Sequence, residues 1–233
     1  MRNRDARIAG FLYLASIIVG YVDLEYIPGR FLIPGDAAAS AHAIVSNEFL
    51  FRLGMTGDLL EGTIWLFTVL ALYRLLVNVD RTQAQLMVIL GAFMQVPLYF
   101  VNVLNYAAAL MFAGNGPGFL SVFPSAQRDA MAMFFLKLHN YEVLASLLFA
   151  GLWLFPFAVL VYKSTFLPRT LGALLAVNGI AWLMVCFSAF LTPQYSGLVH
   201  TITTPMNFGE LLITLWLVIV GARTIGRSRA AED

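Results

Sequence analysis

The sequence predicts an all-α fold: a polytopic integral membrane bundle of about six transmembrane helices, both termini inside, with a short interfacial helix in the first outer loop. Three observations predict it. Of 233 residues, 60% are hydrophobic and 12% charged, against about 25% charged in an ordinary soluble domain. So little charge cannot cover a water-facing surface, and the mean hydropathy of +0.80 agrees. Apolar runs then recur at about 8–27, 49–77, 86–113, 131–162, 169–192 and 206–222, where a span needs about 20 residues. A barrel would alternate in polarity, and these runs do not. Only short loops remain, so residues 1–233 form a single transmembrane domain.

The first run follows Arg2, Arg4 and Arg7 and leads into Asp23-Leu24-Glu25-Tyr26. No small-residue cleavage pattern intervenes, so it is an uncleaved span. After it, Pro34-Gly35-Asp36 makes a turn, with Asp36 placed to cap a helix over residues 37–46. Val77-Asn78-Val79-Asp80-Arg81-Thr82 joins the second and third spans. Gly114-Asn115-Gly116-Pro117-Gly118 is a turn, and a new helix starts at Pro124-Ser125. Lys163-Ser164-Thr165-Phe166-Leu167-Pro168-Arg169 joins the fourth and fifth, with Pro168 at the head of a helix. Residues 193–205 form the last outer loop.

Basic residues orient this map. Arg2, Arg4, Arg7, Arg74, Arg81, Lys163, Arg169, Arg223, Arg227 and Arg229 share one side. Arg30, Arg52, Arg128 and Lys137 share the other. The positive-inside rule puts both termini in the cytoplasm. A net charge of +1 and the lack of a basic, aromatic stripe argue against nucleic acid as a partner. The partners expected are the lipid bilayer and a small-molecule ligand. The oligomeric state is unknown from sequence. Cys186 is the sole cysteine and sits in an apolar run as an inert thiol. No nucleophile elbow, phosphate loop or paired haem histidine occurs, so no cofactor is indicated by motif.

Polar residues fall at one depth. At 1.5 Å per residue from the cytoplasmic end of each span, Glu210 lies at roughly 18 Å, Asp23 at roughly 22 Å, and Glu61 and Asn102 at roughly 24 Å. Asp58 and Asn105 lie at roughly 28 Å, Glu142 at roughly 30 Å and His139 at roughly 34 Å. Asp58 and Glu61 are three residues apart, as are His139 and Glu142, so each pair shares a helical face. Gln95, Tyr99, Asn102 and Tyr106 form a stripe on the third span. Gly54, Gly57 and Gly209 allow close backbone approach. An acid near a span centre costs about 2.5–3.5 kcal/mol on the insertion scale, so these groups should face inward and pair. Arg52, Lys137 and His139 are the available partners. The ligand-binding candidates are Arg52, Asp58, Glu61, Asn102, Asn105, His139, Glu142 and Glu210, around a cavity opening outward below the 37–46 helix. The plain alternative is that Asp58, His139 and Glu142 are solvated where long helices leave the bilayer. A metal site on Asp58, Glu61, His139 and Glu142 is the sharper alternative, suggested by inward carboxylate–histidine pairs in helix bundles.

Several stretches carry a resemblance. They include Arg7-Ile8-Ala9-Gly10-Phe11-Leu12-Tyr13-Leu14, Pro34-Gly35-Asp36-Ala37-Ala38, Phe51-Arg52-Leu53-Gly54 and Ala71-Leu72-Tyr73-Arg74-Leu75-Leu76. Lys137-Leu138-His139-Asn140-Tyr141, Gly151-Leu152-Trp153-Leu154-Phe155-Pro156-Phe157, the 163–169 link and Gly209-Glu210 extend it over nearly the whole chain. The chain resembles a bacterial membrane family known as domain of unknown function 4386. The resemblance implies a compact multi-span domain in a bacterial inner membrane, and no activity. Two function classes follow from the residues. One is a protein that binds or transports a small polar or amphipathic ligand in an outward-facing polar cavity. The other is an intramembrane enzyme, with or without a metal, using Asp58, Glu61, His139, Glu142 and Glu210. A third, structural reading is an accessory subunit whose polar layer pins its helices.

Overall fold

The computed structural model describes residues 2–114 and 118–223. The Asn115-Gly116-Pro117 turn and the tail arginines Arg227 and Arg229 lie outside them. Helix α1 (Arg2–Tyr21) passes through a π-helical turn at Val22–Tyr26 into α2 (Pro28–Phe31). Helix α3 (Ala37–Ser46) starts at Asp36, whose Oδ1 accepts from the Ala39 N–H at 2.8 Å. Helix α4 (Glu48–Leu76) is followed by α5 (Arg81–Val88), where Asp80 caps through the Gln83 N–H at 3.1 Å. A second π turn, Ile89–Phe93, leads to α6 (Val96–Ala113). Then come α7 (Ser125–Leu152), α8 (Leu154–Lys163) and α9 (Arg169–Leu191). Helix α10 (Ser196–Thr203) and α11 (Phe208–Ile219) complete the fold.

Among the described residues six helical stretches are long and apolar enough to cross a membrane: Arg2–Phe31, Glu48–Leu76, Arg81–Ala113, Ser125–Lys163, Arg169–Leu191 and Pro193–Ile219. The protein is an all-helical, multi-pass membrane bundle. Its helices differ from the sequence reading in two places. The third and fourth spans are interrupted, because Pro97 and Pro156 lack the N–H a regular helix needs one turn on. The carbonyls freed around the first break are taken up locally. Trp65 Nε1 donates to the Gly91 carbonyl at 2.7 Å. Gln95 Nε2 donates to that of Leu90 at 3.2 Å and reaches across to the Phe149 carbonyl of α7 at 3.3 Å. Gln95 is thus a repair of the backbone, which hydrocarbon surroundings require. The other difference is the last outer loop, which is helical: α10 and a 3-10 turn at Thr204–Asn207 fill residues 196–207.

Helix α1 packs between α4 and α11, α6 between α4 and α7, and α9 between α7, α8 and α11. Two apolar bodies result. The larger joins Tyr13, Trp65, Val69, Leu72, Trp153, Phe157 and their neighbours, with Trp65 and Trp153 edge to face at 4.8 Å. The smaller gathers Ile27, Phe31, Ile44, Phe51, Tyr106, Ala109 and Leu136 beneath α3. On α1, α4, α6 and α7 the inward polar residues fall in sequence between the residues of the two bodies. This order places the candidate site between two plugs of hydrocarbon.

Candidate functional site

The site begins with a distortion of the first span. A π turn inserts an extra residue per turn and rotates the following side chains. Asp23, in the turn at Val22–Tyr26, is thereby carried inside and is 1% exposed. It fits there because Gly57 has no side chain: a Cβ on Gly57 would lie 2.6 Å from Asp23 Oδ1. Asp58 follows Gly57 on the same helix and is fully buried. One turn on, Glu61 is buried and its Oε1 accepts from Ser16 Oγ of α1.

From the other side, α7 supplies His139, also fully buried. Its Nε2 stands 3.4 Å from Asp58 Oδ2, a long contact for a hydrogen bond. The imidazole stacks on the Tyr106 ring at 3.8 Å and 18°. Asn102 Nδ2 donates to the His139 carbonyl at 3.3 Å, and Asn105 Nδ2 donates to Asn102 Oδ1 at 2.8 Å. The two amides therefore hold α6 against α7. Glu142, half-buried, and Tyr99 lie within electrostatic reach of Asp58.

The nest is unsaturated. Asp23 and Asp58 approach each other closely enough to share a proton; without that proton Asp23 Oδ1 and Oδ2, Asp58 Oδ1, Glu61 Oε2, Glu142 Oε1, His139 Nδ1 and the Tyr106 hydroxyl are buried without a hydrogen-bond partner among the described residues. Buried polar groups are normally paired, and an unpaired one costs about 1–3 kcal/mol. Four acids face one imidazole. Arg52 is elsewhere: its Nε donates to Glu48 Oε1 at 2.7 Å and it is largely exposed. Lys137 lines a different cavity. The charge in the nest is therefore left to a guest cation, to protons or to His139.

Glu210 belongs to a separate, saturated arrangement. Tyr13 donates its hydroxyl to Glu210 Oε1. Trp182 Nε1 donates to Oε2 at 2.8 Å. Asn178 Oδ1 accepts from the Glu210 N–H at 3.0 Å and its Nδ2 donates to Asn207 Oδ1 at 3.4 Å. Gly209 permits the approach, since a Cβ there would sit 2.6 Å from the Leu174 carbonyl oxygen. This clamp joins α1, α9 and α11. Depth alone had pooled it with the nest.

The structure thus brings together Asp58, Glu61, Asn102, Asn105, His139 and Glu142. It leaves Arg52 and Glu210 outside. It adds Asp23, Ser16, Tyr99 and Tyr106. Tyr99 and Tyr106 had a signal in the stripe on the third span. Asp23 had one in its depth. Ser16, in an apolar run, had none. Among the described residues no group of three or more His, Cys, Asp or Glu side chains is placed to hold a metal ion. Phe31 stands edge to face on Phe51 at 4.9 Å, Phe51 on Tyr106 at 5.1 Å, and Tyr106 covers His139. This aromatic series closes the nest on the α3 side.

Comparison with known proteins gives a family and one curated relative. The family model described as Domain of unknown function (DUF4386) matches residues 8–221. An uncharacterized protein of Archaeoglobus fulgidus is 34% identical over 92 residues, 37% of this chain. The chain spans 54% of that relative's length. No solved structure matches.

Proposed function

We propose, for a chain that belongs to the DUF4386 family over residues 8–221, that the nest on α1, α4, α6 and α7 binds a small polar ligand carrying positive charge, and that the protein is a membrane binding or transport protein. The proton is the smallest case of such a ligand. The observation that carries this reading is the unsatisfied set: four inward acids with free oxygens, a free tyrosine hydroxyl and a free imidazole nitrogen at one place. Leaving buried charge uncompensated costs several kcal/mol. A cationic guest removes that cost and supplies donors for the free oxygens. Intramembrane ionisable groups of this kind mark substrate and ion pathways by default.

The nest is closed by Phe31, Phe51 and Tyr106, so loading requires the α2–α3 side to move. The guest enters from that side, which the bias of Lys and Arg makes the outer face of a cell membrane with both termini cytoplasmic. The Glu210 clamp supports a second role, a structural pin, because both its carboxylate oxygens already have donors. The test is thermal denaturation of purified protein against choline, ethanolamine and ammonium salts, with glycerol as neutral control. The proposal expects a concentration-dependent rise in Tm with at least one cation, lost in Asp23→Asn and in Asp58→Asn. A flat response to every cation, together with no proton uptake or release on a pH jump, sinks it.

A further inference from the structure

Away from the nest, a cavity of about 540 Å³ lies between α7, α9 and α10, within the range of small-molecule sites. Its rim carries Lys137, Asn140 and His200, and its walls carry Leu144, Val185 and Ala189. No acidic side chain lines it. Neither the Lys137 ammonium nor the His200 ring has an ion-pair or hydrogen-bond partner among the described residues. The helical form of residues 196–203 is what brings His200 over this cavity.

The heights of these groups decide what fits. Lys163 and Arg169 mark the basic end of α8 and α9. Lys137 is roughly 39 Å along the helix from Lys163, and Val185 roughly 24 Å from Arg169. The hydrocarbon core is about 30 Å thick. Leu144 lies roughly 28 Å from Lys163 and Ala189 roughly 30 Å from Arg169, so the cationic rim stands at headgroup level and the apolar wall at the outer end of the acyl layer. Beside it Phe187, Phe190 and Leu191 are exposed as lipid-facing side chains are. We propose that this cavity binds an anionic amphiphile, its phosphate or carboxylate held by Lys137 and His200 and its alkyl chain laid along Leu144, Val185 and Ala189. The site is distinct from the acid nest and takes the opposite charge.

Native mass spectrometry of the full chain, released from detergent in the presence of defined probes, tests this. Dioleoyl phosphatidylglycerol, dioleoyl phosphatidylcholine and oleate are offered in turn. Wild type should retain the phosphatidylglycerol or the oleate about tenfold more strongly than the phosphatidylcholine, as one charge-assisted contact allows. Preference for the first identifies a bilayer lipid and for the second a free acid. Lys137→Gln should remove that preference and Lys137→Arg keep it. Ala189→Trp, which fills the cavity and leaves Lys137 in place, should lower retention of both anionic probes. Equal retention of all three probes by wild type overturns the proposal. So does an unchanged preference in Ala189→Trp, which decides the matter even if Lys137→Gln fails to fold.

Discussion

Two carboxylate sites share the bundle and differ in one respect. At Glu210, every oxygen of the half-buried acid has a donor, from Tyr13 and Trp182, and the neighbouring amide of Asn178 is used twice. At Asp23, Asp58 and Glu61, acids of equal or greater burial keep oxygens with no donor. Both sites lie against α1, and both use a glycine to let the acid approach. A protein that needed only to pin helices has a saturated solution within reach, on the other flank of the same helix. On the proposed reading the nest is a binding site, where the clamp is a joint.

The comparison is broken most readily at the clamp. Glu210→Ala strands the Tyr13 hydroxyl and the Trp182 indole N–H in the interior, and should cost about 3 kcal/mol of stability. Chemical denaturation in mixed micelles would measure it. A loss below about 0.5 kcal/mol would mean the clamp is not structural.

The glycines sharpen the contrast. Gly209→Ala forces a methyl against the Leu174 carbonyl, which is backbone and cannot turn aside. A cost of about 2–3 kcal/mol is expected. Gly57→Ala meets the Asp23 carboxyl, a side chain that can rotate away. Its cost should be about 1 kcal/mol, while the cation-dependent rise in Tm disappears. Equal costs at the two glycines would contradict the distinction.

Within the nest, Glu61→Gln keeps an oxygen for Ser16 and removes an uncompensated charge. Its stability should stay within about 1 kcal/mol of wild type, with the cation effect reduced. The smallest effect belongs to neither site. Asp80, in the exposed link between α4 and α5, accepts from Lys163 Nζ at 2.7 Å. That contact and the Gln83 N–H hold its carboxyl below the usual 3.8. A depressed folded value means its contribution is present above the unfolded value and is lost as pH falls through the folded one. Lys163→Met should flatten the acid limb of the stability profile below about pH 4. Asp23→Asn and Glu210→Gln should leave that limb unchanged.

How far the sequence reached follows from what each feature depends on. The six spans, the Asp36 cap and the start of α9 after Pro168 are set by local composition, and local composition is legible. Asp58 with Glu61, and His139 with Glu142, follow from three-residue spacing on regular helices. Asp23 does not, because a π turn aims it and no residue pattern announced that turn. The separation of Glu210 from the nest depends on Tyr13 and Trp182, 197 and 28 residues away along the chain. Depth along a span gives height but no azimuth, so two sites at similar height on different flanks of α1 merged into one. The closed aromatic cover was hidden for the same reason, since Phe31, Phe51 and Tyr106 meet only after three helices are packed.

The most direct trial uses two substitutions that each remove a carboxylate with almost no change in shape. Asp23→Asn and Glu210→Gln are purified together with wild type and melted under one set of conditions. Asp23 has two oxygens without donors and another carboxyl, Asp58, beside it, so Asn there should leave Tm unchanged or raise it. Gln at 210 keeps its oxygen for Trp182 and turns its NH2 to Tyr13, whose hydroxyl then accepts and leaves its own proton without an acceptor; this should cost about 1 kcal/mol. The account predicts that the two variants separate in this order. If both fall by the same amount, the nest is a second joint and its reading as a binding site is wrong.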